Sequence, residues 1–141
     1  MNEVQAKAEI KSDEGLRLKK YQDQFGNWTI GYGHLMIPYE IRTMDSITNE
    51  QAEEIFNTDF HNALNSSLHL FKNFDSFTDP RQRAIVNMMF QLGEYKLSKF
   101  VNMLAAIRED NWSKAALHCL DSKYAKQCPE RAKRVAKMLR G

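Results

Sequence analysis

Glu14 and Asp23, nine positions apart, with Thr29 six further on, are residue types that could share general acid–base work. Such chemistry needs one carboxyl kept protonated and one kept ionised across a cleft, with a hydroxyl beside the second to hold a water. Spacing by itself is weak evidence. Eighteen acidic residues among 141 form many pairs, and an arbitrary Glu is more often a solvated surface group. Local context sharpens the case. Glu14 is expected at the C-terminal end of a first helix, where carbonyl dipoles disfavour negative charge and raise a carboxyl pKa. Asp23 and Thr29 would flank a turn at Gly26.

Other eye-catching residues point elsewhere. His34 has no second metal ligand at sensible spacing, and a structural hydrogen bond to Asp59 is the expectation. The glycines of GNWTIGYG match neither a P-loop nor a dinucleotide fingerprint. Trp28 and Trp112 are better read as core than as sugar platforms. Cys119 and Cys128 fit no zinc or redox motif and read as free thiols, so no metal and no cofactor is expected.

The elements that must position the candidates can be read from periodicity. Residues 2–13 suit one short, weakly amphipathic helix. Residues 16–36 interleave Tyr21, Trp28, Ile30 and Tyr32 with Gly26, Gly31 and Gly33, the pattern of a small antiparallel sheet. Thr48 to Gln51 is a capping box opening a helix to about residue 71, long enough to join two lobes. Asp79-Pro80 predicts an N-cap and a proline at the first helical position, followed by a stripe of Ala84, Ile85, Met88, Met89 and Leu92. Further helices are expected near 96–108, 111–124 and 129–140. The fold class that follows is α+β, in one domain spanning 1–141. Its sheet-bearing lobe covers about 13–60, and a helical lobe is built from 1–12 and 72–141. The helix at about 49–71 joins them, with a cleft between.

Composition bounds the rest. With 43% hydrophobic and 27% charged residues, the chain is of ordinary globular type and close to the modal domain size. No apolar run approaches the roughly 18 residues of a spanning helix, and the first fifteen residues lack an apolar export core. The net charge of +2 conceals an asymmetry: residues 1–70 carry 6 Lys/Arg against 11 Asp/Glu, and residues 71–141 carry 14 against 7. A basic second half suits a polyanionic partner, although a solvated helix face explains it equally well.

Three segments carry a resemblance. DEGLRLKKYQDQFGNWTIGYGHL (13–35), AIVNMMFQLGE (84–94) and NWSKAALHCLDSKYAKQCPERAKRVAKMLR (111–140) resemble, in the same order, the T-even phage lysozymes, the phage-type muramidases of glycoside hydrolase family 24. The resemblance implies a lysozyme-like fold and cleavage of the β-1,4 bond between N-acetylmuramic acid and N-acetylglucosamine in peptidoglycan. It places Glu14 on the general acid, Asp23 on the second catalytic carboxylate and Thr29 on the residue that positions the attacking water. Leu35, Phe90 and Gln91 fall on cleft positions that contact substrate, and Arg131 on a cleft residue able to pair with Glu14. That pairing would lower the Glu14 pKa against the helix-end effect, and sequence leaves the balance open. Met103 and His118 differ from the family residues at their positions, so no binding role is carried onto them.

The segment between Met36 and Ile47 is shorter than the family pattern, and one short helix is expected to be missing there. The resemblance also implies an endolysin: a monomer in the bacterial host cytoplasm that reaches the wall through a separate holin, with no nucleic-acid partner and no stable membrane insertion. Two alternatives stand beside it. One is a lytic transglycosylase, which cuts the same bond without water; the other is a non-catalytic cationic cell-wall binding module.

Overall fold

The computed structural model describes residues 1–141. Helix α1 (Glu3–Glu14) is opened by Asn2, whose side chain accepts from the Gln5 N–H at 3.1 Å, and closed by Gly15 at φ 71°. The positive φ is cheap for glycine, so the chain turns sharply and leaves Glu14 as the last helical residue. Only Ala6 and Ile10 of α1 are buried, as its weak apolar pattern implied.

An antiparallel sheet follows, with β1 (Arg17–Gln22), β2 (Trp28–Gly31) and β3 (His34–Leu35) in that order. Its register sets Thr29 opposite Tyr21 on one side and opposite Leu35 on the other. The shortened segment does not lose its helix: α2 (Pro38–Thr43) forms there, correcting the expectation for residues 37–46. Pro38 supplies a pre-set φ at its first position and Glu40 reaches back to the Ile37 N–H at 2.9 Å, so local chemistry suffices for one and a half turns.

Helix α3 (Asn49–Leu70) begins at the expected capping box. The Gln51 N–H donates to Thr48 at 3.1 Å and the Thr48 N–H donates to Gln51 at 2.9 Å. Its buried face runs Ala52, Phe56, Phe60, Ala63 and Ser67. Ala52 closes a small cluster with Ile30, Met36 and Ile47 under the sheet, whereas Phe56, Phe60 and Ala63 enter a 26-residue cluster in the helical part. One amphipathic face therefore fastens the helix into both cores.

After a 3-10 turn (Phe74–Ser76), α4 (Asp79–Ser98) runs through the centre of the large cluster. Thr78, one residue earlier than expected, is its cap position, and Asp79 instead accepts from the Asn2 N–H and from Arg83. The expected stripe is too narrow a description, since every residue from Gln82 to Met89 is buried. Helix α4 packs against α1, α3 and α8 at once, and the polar members Gln82, Arg83 and Asn87 find partners within the protein.

The two long segments expected at 96–108 and 111–124 are each broken. Helix α5 (Val101–Arg108) starts after a kink at Lys99–Phe100, and α6 (Trp112–Leu120) is separated from α7 (Lys123–Gln127) by Asp121–Ser122. Ser122 caps α7 by accepting from the Ala125 N–H, which explains the break. Helix α8 (Pro129–Arg140) buries Arg131, Ala132, Val135, Ala136 and Leu139 and turns Lys133, Arg134, Lys137 and Arg140 outward. The architecture is an α+β lysozyme-like fold, and no helix is long and apolar enough to cross a membrane.

Candidate active site

A cleft of about 930 Å³ lies between the sheet and helices α4 to α8. Glu14, Asp23, Thr29, Leu35, Gln91 and Arg131 all line it. Glu14 reaches the cleft from the end of α1 and is pinned from two directions. Arg131 Nη1 donates to its Oε1 at 2.5 Å. On the other side, Gly33 packs so closely that a Cβ there would lie 1.9 Å from Glu14 Oε2. Gly33 also sits at φ 69°, so only glycine meets both demands at this position.

Behind Glu14 lies a buried network. Arg131 is 9% exposed; its Nε donates to Asn87 at 2.9 Å, and Asn87 donates in turn to Asp13 at 3.0 Å. Arg134 also pairs with Asp13. Burial acts to raise the Asp13 pKa, but hydrogen bonds from Arg134 and Asn87, with the nearby arginine charges, bring it below its usual value. Asp13 is thus the ionised partner of the arginines. For Glu14 the balance left open by sequence resolves upward: burial raises its pKa, the charge and hydrogen bond of Arg131 oppose, and burial prevails.

Asp23 is the opposite case. It sits on an exposed turn between β1 and β2, where its Oδ1 accepts the N–H groups of Phe25 and Asn27, each at 2.9 Å. What little desolvation exists works upward, yet these bonds, the Asn27 amide and the charge of Lys96 lower the pKa of this carboxylate. Two carboxyl groups lining one cleft are therefore pushed apart, Glu14 toward its acid form and Asp23 toward its ionised form. Thr29 is buried beside them and donates its hydroxyl hydrogen to the Asn27 carbonyl at 3.0 Å. Its oxygen is left with lone pairs to accept a hydrogen bond from a water.

Phe90 departs from expectation. It does not line the main cleft; it packs against Phe56, ring centroids 5.4 Å apart, and borders a separate small cavity of about 270 Å³. Gln91, the next residue, lines both the cleft and this cavity and donates to Cys128 Sγ at 3.2 Å. Met103 and His118, left without a role, do line the cleft. Asn87 and Lys96 were not singled out by sequence reading. A polar residue within the apolar α4 stripe was the available signal for Asn87; for Lys96 there was none.

Trp28 and Trp112 lie outside the cleft. Trp28 packs on the small core, and Trp112 meets Phe77 edge-on at 4.8 Å with the Arg81 guanidinium 4.6 Å from its ring. His34 Nδ1 donates to Asp59 at 2.7 Å, and Glu40 lies at 3.1 Å from its other ring nitrogen. No cluster of His, Cys, Asp and Glu is placed to hold a metal ion.

Residues 11–139 match the family described as phage lysozyme. The chain belongs to the phage lysozyme family. Among curated relatives, it is 31% identical to the probable T4-type lysozyme 2 of Dictyostelium discoideum, over 89% of this chain and 88% of that protein. It is 32% identical to the pre-baseplate central spike protein Gp5 of Enterobacteria phage T4, over 92% of this chain but 26% of that much longer protein. An endolysin of Acyrthosiphon pisum secondary endosymbiont phage 1 is 37% identical over 60% of this chain and 54% of its own length. The matched span includes every residue of the Glu14 to Thr29 segment and the α8 residues that hold Glu14.

Proposed function

We propose that this phage lysozyme is a muramidase that hydrolyses the β-1,4 bond between N-acetylmuramic acid and N-acetylglucosamine in peptidoglycan. The observation that carries this reading is the pair of oppositely shifted carboxyls, Glu14 and Asp23, lining one cleft. Glu14, whose pKa burial raises, protonates the leaving glycosidic oxygen. Asp23, kept ionised, activates water or stabilises the oxocarbenium-like state, and the Thr29 oxygen accepts a hydrogen bond from that water. This division of labour favours hydrolysis over transglycosylation, because Thr29 would have no task without a water. Leu35 and Gln91 contact the glycan; Phe90 supports the site from the core. The catalytic unit is a single two-lobed domain that acts as a monomer without a cofactor.

The endolysin-type relative supports deployment in host lysis, from the host cytoplasm through a membrane opened by a holin. The basic outer face of α8 then favours retention on an anionic wall in a salt-dependent way.

The decisive experiment is mass spectrometry of muropeptides released from purified peptidoglycan by wild type and by Glu14→Gln. Reducing N-acetylmuramic ends from the wild type, lowered by about a thousandfold or more in the variant, are the expected result. Anhydro ends would mean transglycosylation, and no release by either protein would leave a binding module. The pH profile of kcat/KM should be bell-shaped: its acid limb, set by Asp23, below the ordinary carboxylate range, and its alkaline limb, set by Glu14, above it.

A further inference from the structure

Twelve large apolar side chains are exposed, and three of them, Phe25, Leu35 and Val101, line the cleft. The resemblance covers Leu35. Phe25 is the larger anomaly: a ring 59% exposed at the tip of the β1–β2 turn, in neither hydrophobic cluster. Its ring pairs with no aromatic ring and lies beneath no cationic group, whereas the exposed Tyr95 lies 4.8 Å from Lys99 Nζ. Leaving an aromatic ring in water forgoes its burial, so its fixed presentation into a cleft asks for a ligand face.

The fixing is visible in the backbone. The Phe25 N–H donates to Asp23 Oδ1, and the Gly26 N–H donates to the Asp23 carbonyl at 3.0 Å, which closes the turn. The backbone that carries the ring is thereby held on the same turn as Asp23. Val101, 67% exposed at the start of α5, gives the helical wall an apolar residue of its own.

We propose that Phe25 is a glycan-binding residue, a platform on which the axial C–H face of one pyranose ring stacks, with Val101 contributing from the helical wall. The proposal rests on the muramidase reading for the identity of the polymer. β-1,4-linked sugars present flat C–H faces, and an aromatic ring buries such a face while the hydroxyls at the sugar edge stay hydrated. Phe25 sets affinity for the chain and takes no part in the proton transfers.

The test uses Phe25→Ala and Phe25→Tyr in two backgrounds. In the active protein, Phe25→Ala should raise KM for purified glycan strands about five- to tenfold with kcat within twofold, and Phe25→Tyr should stay near wild type. In the Glu14→Gln background, sedimentation binding to the same strands should weaken by the same factor for Phe25→Ala. Unchanged KM and binding in Phe25→Ala would overturn the platform. A fall in kcat at constant KM would also overturn it, showing that the residue acts through the Asp23 turn. If the active protein releases no muropeptides, the muramidase reading fails, while strand binding in the Glu14→Gln background still decides the role of Phe25.

Discussion

On the helical side, 26 buried residues form one continuous apolar cluster around α4, whereas the sheet side closes over only Ile30, Met36, Ile47 and Ala52. The sheet side adds a clamped histidine. His34 is clamped between Asp59 of α3 and Glu40 of α2, and Lys20 pairs with Asp45 at 3.1 Å and donates to the Ile41 carbonyl at 2.7 Å. Burial of apolar area is indifferent to pH, but ion pairs are not. The helical side's arginine–carboxylate pairs are lost as pH falls and the His34 pair as pH rises, so the two walls should differ in the pH range that weakens them. The proposed acid–base pair repeats the contrast, since Glu14 answers to burial and Asp23 to hydrogen bonds on an exposed turn.

The largest expected effect strikes the helical core. Phe60 is fully buried on α3, and Phe60→Ala should cost about 3–5 kcal/mol, read as a lowered urea midpoint for the whole molecule. Ile30→Ala, at the centre of the small cluster, should cost about 2–3 kcal/mol, because so small a core can collapse partly around the loss. Hydrogen exchange separates the two: the Ile30 variant should lose amide protection in 17–35 while α4 to α6 keep theirs. Equal loss in both lobes would break the comparison and make the molecule one cooperative unit.

Smaller still is the pH effect of the clamp. The hydrogen bond to Asp59, against burial and together with the Asp59 and Glu40 charges, raises the His34 pKa from 6.5 to about 9. A raised pKa means the protonated ring is preferred in the folded state. Its contribution is fully present below pH 6.5 and is lost as pH rises toward 9. Thermal scans should show stability falling across that window by on the order of 1–3 kcal/mol, and His34→Asn should remove the slope. A control at the low end is Lys133→Ala on the exposed face of α8. Its pair with Glu130 at 3.3 Å is solvated, and the stability change should stay within about 0.5 kcal/mol.

Much of the fold was legible because its signals are local. The Thr48–Gln51 box, Pro129 at the start of α8 and the glycine-spaced sheet each satisfy their own backbone within a few residues. His34 and Asp59 were also readable, since they lie on adjoining elements. The errors arose where neighbours in space outvoted neighbours in sequence. Periodicity suggested a one-faced α4, but three helices surround it; a shortened segment suggested a lost helix, but Pro38 and Glu40 were enough to form one. Phe90 and Gln91 were both placed on the cleft; Gln91 lines it, while the ring of Phe90 packs on Phe56 and borders a smaller cavity that Gln91 also lines.

Sequence by itself determined the chemical kit of this protein: Glu14 closing a helix, Asp23 and Thr29 about a glycine turn, and a family pattern that runs nearly end to end. It could not determine the state of that kit. The pair between Glu14 and Arg131 spans 117 positions, and whether its charge outweighs burial depends on how Gly33, Asn87 and Asp13 enclose it. Desolvation and Coulomb attraction are set by distances through space, so the direction of the Glu14 shift and the free ring of Phe25 were decided only when the chain closed on itself.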